Sequence, residues 1–135
     1  MNKLKEAKKL DRKRLKEWSI EVRNRDGKCV ICGCRTGDFY FNKKGKKLKK
    51  VIHAHHLIPK ENHKYRYDIK NGIALCQNHH KYSLRISPHK NPFVFHNFLM
   101  TYRKEQYDYL HSQTFVTLNK DNTVNCGWEV DGKYN

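Results

Sequence analysis

Six of the nine histidines fall within residues 53–81: His53, His55, His56, His63, His79 and His80, with Asn71 and Cys76 among them. Imidazole is the commonest protein metal ligand and the usual general base near neutral pH, so this density points to metal binding, proton transfer or both. Two ligand pairs accompany it. Cys29-Val-Ile-Cys32 and Cys76-Gln-Asn-His79 each have a two-residue spacer that lets the pair chelate one ion, and together they make the Cys₃His donor set that zinc favours. The long interval between the pairs makes this a clamp joining distant parts of the chain rather than a small finger. The alternative is a redox CxxC beside an unrelated core Cys76. Cys34 is an alternative to Cys32, and Cys126 has no partner in this scheme.

The elements that must position these residues follow from local pattern. Residues 51–58 alternate as a strand, which puts His53 and His55 on one face and His56 on the other; Pro59 ends it. Residues 60–71 are polar and charged and read as a loop. Gly72-Ile-Ala-Leu-Cys76 is a short apolar strand, and residues 77–86 suit a helix stopped by Ser87-Pro88. The local order is therefore strand, loop, strand, helix.

In that order, the residues resemble the HNH endonucleases, whose fold is the ββα-metal motif. The pair at the end of the first strand is His55-His56. The asparagine before the second strand is Asn71, fifteen residues later, and His80 stands on the helix. Members with a structural zinc flank the motif with two ligand pairs, as Cys29/Cys32 and Cys76/His79 do here. This chain has His79 where Cys is common and His55 where Asp is common. The resemblance covers about residues 18–86. It implies that His56 is the general base, that His55 and His80 hold one catalytic divalent ion (Mg²⁺ or another, with Mn²⁺, Ni²⁺ and Zn²⁺ all suited to imidazoles), and that Asn71 holds the His56 loop without touching substrate. It also implies a 5′-phosphate and a 3′-hydroxyl as products. His53 is a strand residue or an extra ligand, and His63 a solvated loop residue or a phosphate contact.

The chain's 135 residues carry a net charge of +16 with 37% hydrophobic content. That is one domain with a modest core, to which a bound zinc would add folding energy. A charge of this size points to a polyanionic partner. DNA suits it better than a membrane, because neither a basic amphipathic anchor with a strong apolar face nor a span of about 20 apolar residues is present. The N-terminal sequence lacks an export signal's apolar run, so reduced thiols and a cytoplasmic setting are expected. Stand-alone proteins of this type resemble phage and mobile-element nucleases.

Residues 1–26 read as a basic helix with Leu4, Ala7, Leu15, Trp18 and Val22 on one side. Its first half is expected to fray, as either a phosphate-binding arm or a solvated face, while Trp18 and Val22 pack against the zinc site. Residues 29–37 form the zinc knuckle. A hairpin follows, with residues 38–41 as one arm, 42–47 as the turn and the catalytic strand as the second arm. Six lysines lie between Lys43 and Lys50; they and the loop residues Lys60, Lys64 and Arg66 are the expected nucleic-acid contacts, with Lys43, Lys44, Lys46 and Lys47 at the tip. Tyr65 and Tyr67 in the same loop suit contacts to sugar and phosphate, or are loop core. Residues 93–112 read as one helix with Phe95, Phe98, Leu99, Tyr102 and Tyr109 on its apolar side, for the core or for a homodimer. Residues 114–118 and 123–130 read as a hairpin, in a tail without basic excess.

The expectation is thus an α+β fold in a single domain, residues 1–135: a basic N-terminal helix (1–26), a zinc-bound ββα-metal (HNH, or His-Me finger) core (27–86), and a C-terminal helix and β-hairpin (87–135). The expected function is metal-dependent DNA nicking. The alternatives are a non-catalytic zinc-stabilised DNA-binding protein and a ribonuclease.

Overall fold

Asn2 starts the first helix, its side-chain oxygen accepting the Lys5 N–H at 3.1 Å, and α1 runs over Lys3–Asp26 in the computed structural model of the chain. Gly27 ends it in the left-handed conformation and donates to the Arg23 carbonyl at 2.8 Å, a glycine C-cap. The structure describes residues 2–114, 116–126, 129–130 and 133–134. The first half of α1 is anchored: Asp11 accepts bonds at 2.8 and 2.7 Å from the Arg66 guanidinium and another from the Tyr67 hydroxyl, and Arg14 lies 3.9 Å over the Tyr67 ring.

The central ladder pairs β3 (Ile52–His56) with β4 (Gly72–Cys76), antiparallel, with His56 opposite Gly72 and Ile52 opposite Cys76. Every residue of β4 is buried, so this short apolar run is the centre of the core, as fully covered strands read. Cys29, Ile52, Phe95 and Leu99 close around Ile73, Ala74 and Leu75. Trp18 and Val22 are the only buried residues of α1. They pack where a side chain at position 72 would stand: a Cβ on Gly72 would lie 2.5 Å from Val22 Cγ2 and 2.6 Å from Trp18 Cζ2. Glycine here is what lets helix and ladder touch.

Several further expectations change. The strand that carries His53, His55 and His56 is not an arm of the lysine hairpin. β1 (Phe39–Phe41) pairs with β2 (Lys47–Lys49) alone, and its ladder closes where Lys50 bonds Asp38 and Gly37; β3 then leaves to pair with β4. The helix expected over 77–86 is a single wide turn at Asn78–Tyr82, closed by an i→i+5 bond from Ser83 N–H to the Asn78 carbonyl at 2.7 Å. The long C-terminal helix is two: α2 (Pro92–Tyr102) and α3 (Lys104–Gln113), broken at Arg103. Arg103 turns inward there because the buried Asp26 carboxylate needs a counter-charge, and the two meet at 3.0 Å beside Arg25. That break also frees Tyr102, 74% exposed, from the expected apolar face. Finally, Trp18 stacks on His56 rather than packing against the expected zinc site.

In the tail, β5 (Val116–Leu118) pairs with β6 (Val124–Cys126), and β7 (Glu129–Val130) with β8 (Lys133–Tyr134). The expected second arm to residue 130 therefore ends at Cys126, whose thiol lies outside the described residues. No described helix is long and apolar enough to cross a membrane.

Candidate functional site

Two clusters of ligand-type side chains stand on either side of the wide turn. The first is Cys29, Cys32, Cys76 and His79, whose donor atoms all lie within 4.8 Å of one another. Local chain geometry makes it. Gly33 N–H bonds the Cys29 carbonyl at 2.8 Å and Val30 N–H bonds Ala74 at 3.1 Å, so the knuckle folds tightly and is stitched to β4 beside Cys76. The Cys29 Sγ–His79 Nδ1, Cys32 Sγ–Cys76 Sγ and Cys76 Sγ–His79 Nδ1 separations are 3.7, 3.9 and 3.2 Å. Thiolates about 2.3 Å from a tetrahedral ion stand about 3.8 Å apart, so the four residues fit a zinc-type ion. Burial pushes the metal-free Cys29 thiol up to about 11; an ion would have to displace that proton. Cys34 lies outside the four-residue set, which leaves Cys32 as the CxxC partner.

The second cluster is made of imidazoles. His80 Nδ1 lies 2.9 Å from His53 Nδ1, and His80 Nε2 lies 3.1 Å from His55 Nδ1. The strand alternation puts His53 and His55 on this side together. Consecutive residues on a helical turn point about 100° apart, so one turn sends His79 to the thiols and His80 to the imidazoles. Wide turns of this kind recur at functional sites. Burial and neighbouring imidazoles lower His55 to about 3 and His80 to about 4, so both rings are neutral and able to ligate at pH 7. His89 joins them, its Nε2 3.2 Å from His80 Nε2. The sequence did not single it out: it lies beyond the motif, and only the turn at Pro88 brings it back.

His56 faces the other way. Its ring stacks on Trp18 with centroids 3.7 Å apart, and its Nε2 lies 2.9 Å from the Arg66 carbonyl oxygen. A carbonyl only accepts, so Nε2 carries the proton and Nδ1 keeps its lone pair. Burial holds this ring below the ordinary histidine value, against the opposing effect of the Arg66 bond. Asn71 is fully buried. Its Oδ1 accepts Ile58 N–H at 2.6 Å, and its Nδ2 donates to the Ile58 and Tyr65 carbonyls at 2.9 and 3.1 Å, which closes the loop after His56 onto the start of β4.

The expected nucleic-acid contacts divide. Lys43, Lys44, Lys46, Lys47, Lys60 and Lys64 are exposed. Arg66 is committed to Asp11 at 2.7 Å, so its charge is already paired. His63 is exposed on the loop, and Tyr65 is buried as loop packing.

A family model described as HNH endonuclease matches residues 29–83. No curated protein and no solved structure is matched by the chain. The matched segment runs from the knuckle through β3 and β4 to the wide turn, and over these residues the chain matches the HNH endonuclease family.

Proposed function

We propose that this protein is a metal-dependent endonuclease that hydrolyses DNA phosphodiester bonds, with His56 as the general base. The observation that carries the proposal is the His56 ring: clamped on Trp18, its proton committed to the Arg66 carbonyl, its Nδ1 lone pair free and its charge suppressed by burial. A neutral, oriented imidazole can take the proton of an attacking water, and such a base contributes about 10²–10⁴-fold. His55 and His80 would hold one divalent ion, whose chemistry at a phosphodiester is stabilisation of charge on the phosphate and the leaving oxygen. Asn71 positions the base by fixing its loop. Cys29, Cys32, Cys76 and His79 would hold a structural zinc.

One site of this kind cuts one strand, so nicking is the proposed outcome; a double-strand break needs a dimer or two sequential nicks. The net charge of +16 and the exposed lysines supply the attraction to the phosphate backbone.

The test is supercoiled-plasmid cleavage by wild type and His56→Ala, first in EDTA and then with Mg²⁺, Mn²⁺, Ni²⁺ or Zn²⁺, with an RNA competitor alongside. Metal-dependent nicking should appear in the wild type and vanish in the variant, while both bind DNA equally. Full activity in His56→Ala removes this base. Tight, salt-sensitive binding without cleavage under any metal favours a binding module, and preferential loss of signal to RNA favours a ribonuclease.

A further inference from the structure

The segment after the family match folds back on the imidazole cluster. Residues 87–91 form a fixed turn: Ser87 is fully buried and bonds Ser83, Asn91 N–H bonds the Ser87 carbonyl at 2.8 Å, and Lys90 N–H bonds Ser87 Oγ at 3.1 Å. Asn91 also reaches back to the Leu84 and Arg85 carbonyls and caps α2 through Val94 N–H. At the apex of this turn stands His89. Its ring centroid is 4.8 Å from that of His80 and 5.4 Å from that of His55, and the donor atoms of all three lie within 4.8 Å of one another.

The spacing is that of a ligand set. Imidazole nitrogens about 2.0–2.1 Å from a tetrahedral ion stand about 3.3 Å apart. His55 Nδ1 and His89 Nε2 lie 3.1 and 3.2 Å from the same atom, His80 Nε2. His53, bonded to the far side of the His80 ring at Nδ1, fixes which His80 nitrogen faces the other two, the orienting task that neighbours of metal-bound histidines perform.

We propose that His89 is a third ligand of the catalytic-ion site, so that the site is a three-imidazole one that takes a transition-metal dication such as Zn²⁺, Co²⁺ or Ni²⁺ in preference to Mg²⁺. This rests on the reading above that His55 and His80 hold an ion. The preference follows from donor type: Mg²⁺ is bound through oxygen ligands and keeps its waters, whereas imidazole suits the later first-row metals. The consequence is that the C-terminal segment, beyond the motif itself, completes the metal centre.

The test is a Co²⁺ titration of protein already loaded with one equivalent of zinc, followed by absorption and calorimetry, for wild type, His89→Ala, His55→Ala and His63→Ala. Thiolate-to-cobalt charge transfer would reveal any exchange at the cysteines. The wild type should bind one further Co²⁺, not displaced by millimolar Mg²⁺. His89→Ala should weaken that binding roughly ten-fold or more, by analogy with losses at metal-site neighbours, and change the absorption envelope, with zinc content and melting temperature kept. His63→Ala should bind as the wild type does. A second Co²⁺ lost in His55→Ala yet unaltered in His89→Ala overturns this proposal and leaves the two-histidine reading standing. No second Co²⁺ in any variant overturns both.

Discussion

At the scale of single residues, the molecule sets up two histidines differently by which ring atom is occupied. His56 spends Nε2 on a carbonyl and keeps Nδ1 free, while His80 spends Nδ1 on His53 and turns Nε2 toward His55. Asn71 makes the first of these arrangements possible, since it holds the chain on both sides of the loop that carries the Arg66 carbonyl. Asn71→Ala would leave the Ile58 N–H and carbonyl without these partners, at about 1–3 kcal/mol for each buried group unpaired, and would leave the Tyr65 carbonyl with the Asp68 N–H alone. We expect a markedly lower melting temperature. At a temperature where the variant is still folded, nicking should fall by an order of magnitude or more, with zinc content unchanged. Asn71→Asp keeps the acceptor for Ile58 but sets a carboxylate oxygen against the Ile58 and Tyr65 carbonyls, so it should not rescue. Wild-type kcat in folded Asn71→Ala would mean that the loop holds the base without this amide.

At the scale of elements, what the sequence showed and what it hid divide by range. The Cys29/Cys32 and Cys76/His79 pairs were legible because each chelate is set by a two-residue spacer, and β3 and β4 because alternation and an apolar run mark them. The wide turn was not, since an i→i+5 closure has the same side-chain pattern over five residues as the start of a helix. Nor was the break at Arg103: no local sequence signal marks it, and there Arg103 reaches the buried Asp26 on α1, 77 residues away in sequence. The same long reach, through Pro88, brought in His89. The Cys29, Cys32, Cys76 and His79 cluster is the element-scale device: a metal held there, as proposed, would tie the knuckle to β4 and fix the turn that splits His79 from His80. Cys29→Ser should therefore lose zinc and stability together, on the scale of a structural metal site whose apparent binding energy is about 10–16 kcal/mol. It should also lose second-site metal binding, since His80 is placed by the same turn. Metal analysis and thermal melting check this; a full zinc complement in Cys29→Ser would remove Cys29 from the site.

At the scale of the whole molecule, the distribution of charge matters more than its sum. The chain has 29 Lys and Arg against 13 Asp and Glu, and several of the few carboxylates are used internally. Asp11 holds Arg66 and Tyr67, Asp26 holds Arg25 and Arg103, and Asp68 accepts the Tyr109 hydroxyl at 2.6 Å. Acidic groups thus fasten elements to one another, while lysines are left facing water. The β1–β2 hairpin concentrates them: Lys43, Lys44, Lys46 and Lys47 are all exposed at its tip, where a phosphate backbone would relieve their mutual repulsion. Each phosphate neutralised on duplex DNA contributes about −0.9 to the slope of log affinity against log salt. Changing the four tip lysines to Ala should therefore flatten that slope by up to about 3.6, weaken binding at low salt, and leave zinc content and melting temperature as they were. Lys104→Ala is the internal control, because Lys104 already pairs with Asp108 at 2.9 Å, and its slope should match the wild type. A slope unchanged in the four-lysine variant would mean that the hairpin tip faces solvent in the complex too, and that the duplex is held by the loop lysines Lys60 and Lys64 or by α1 instead.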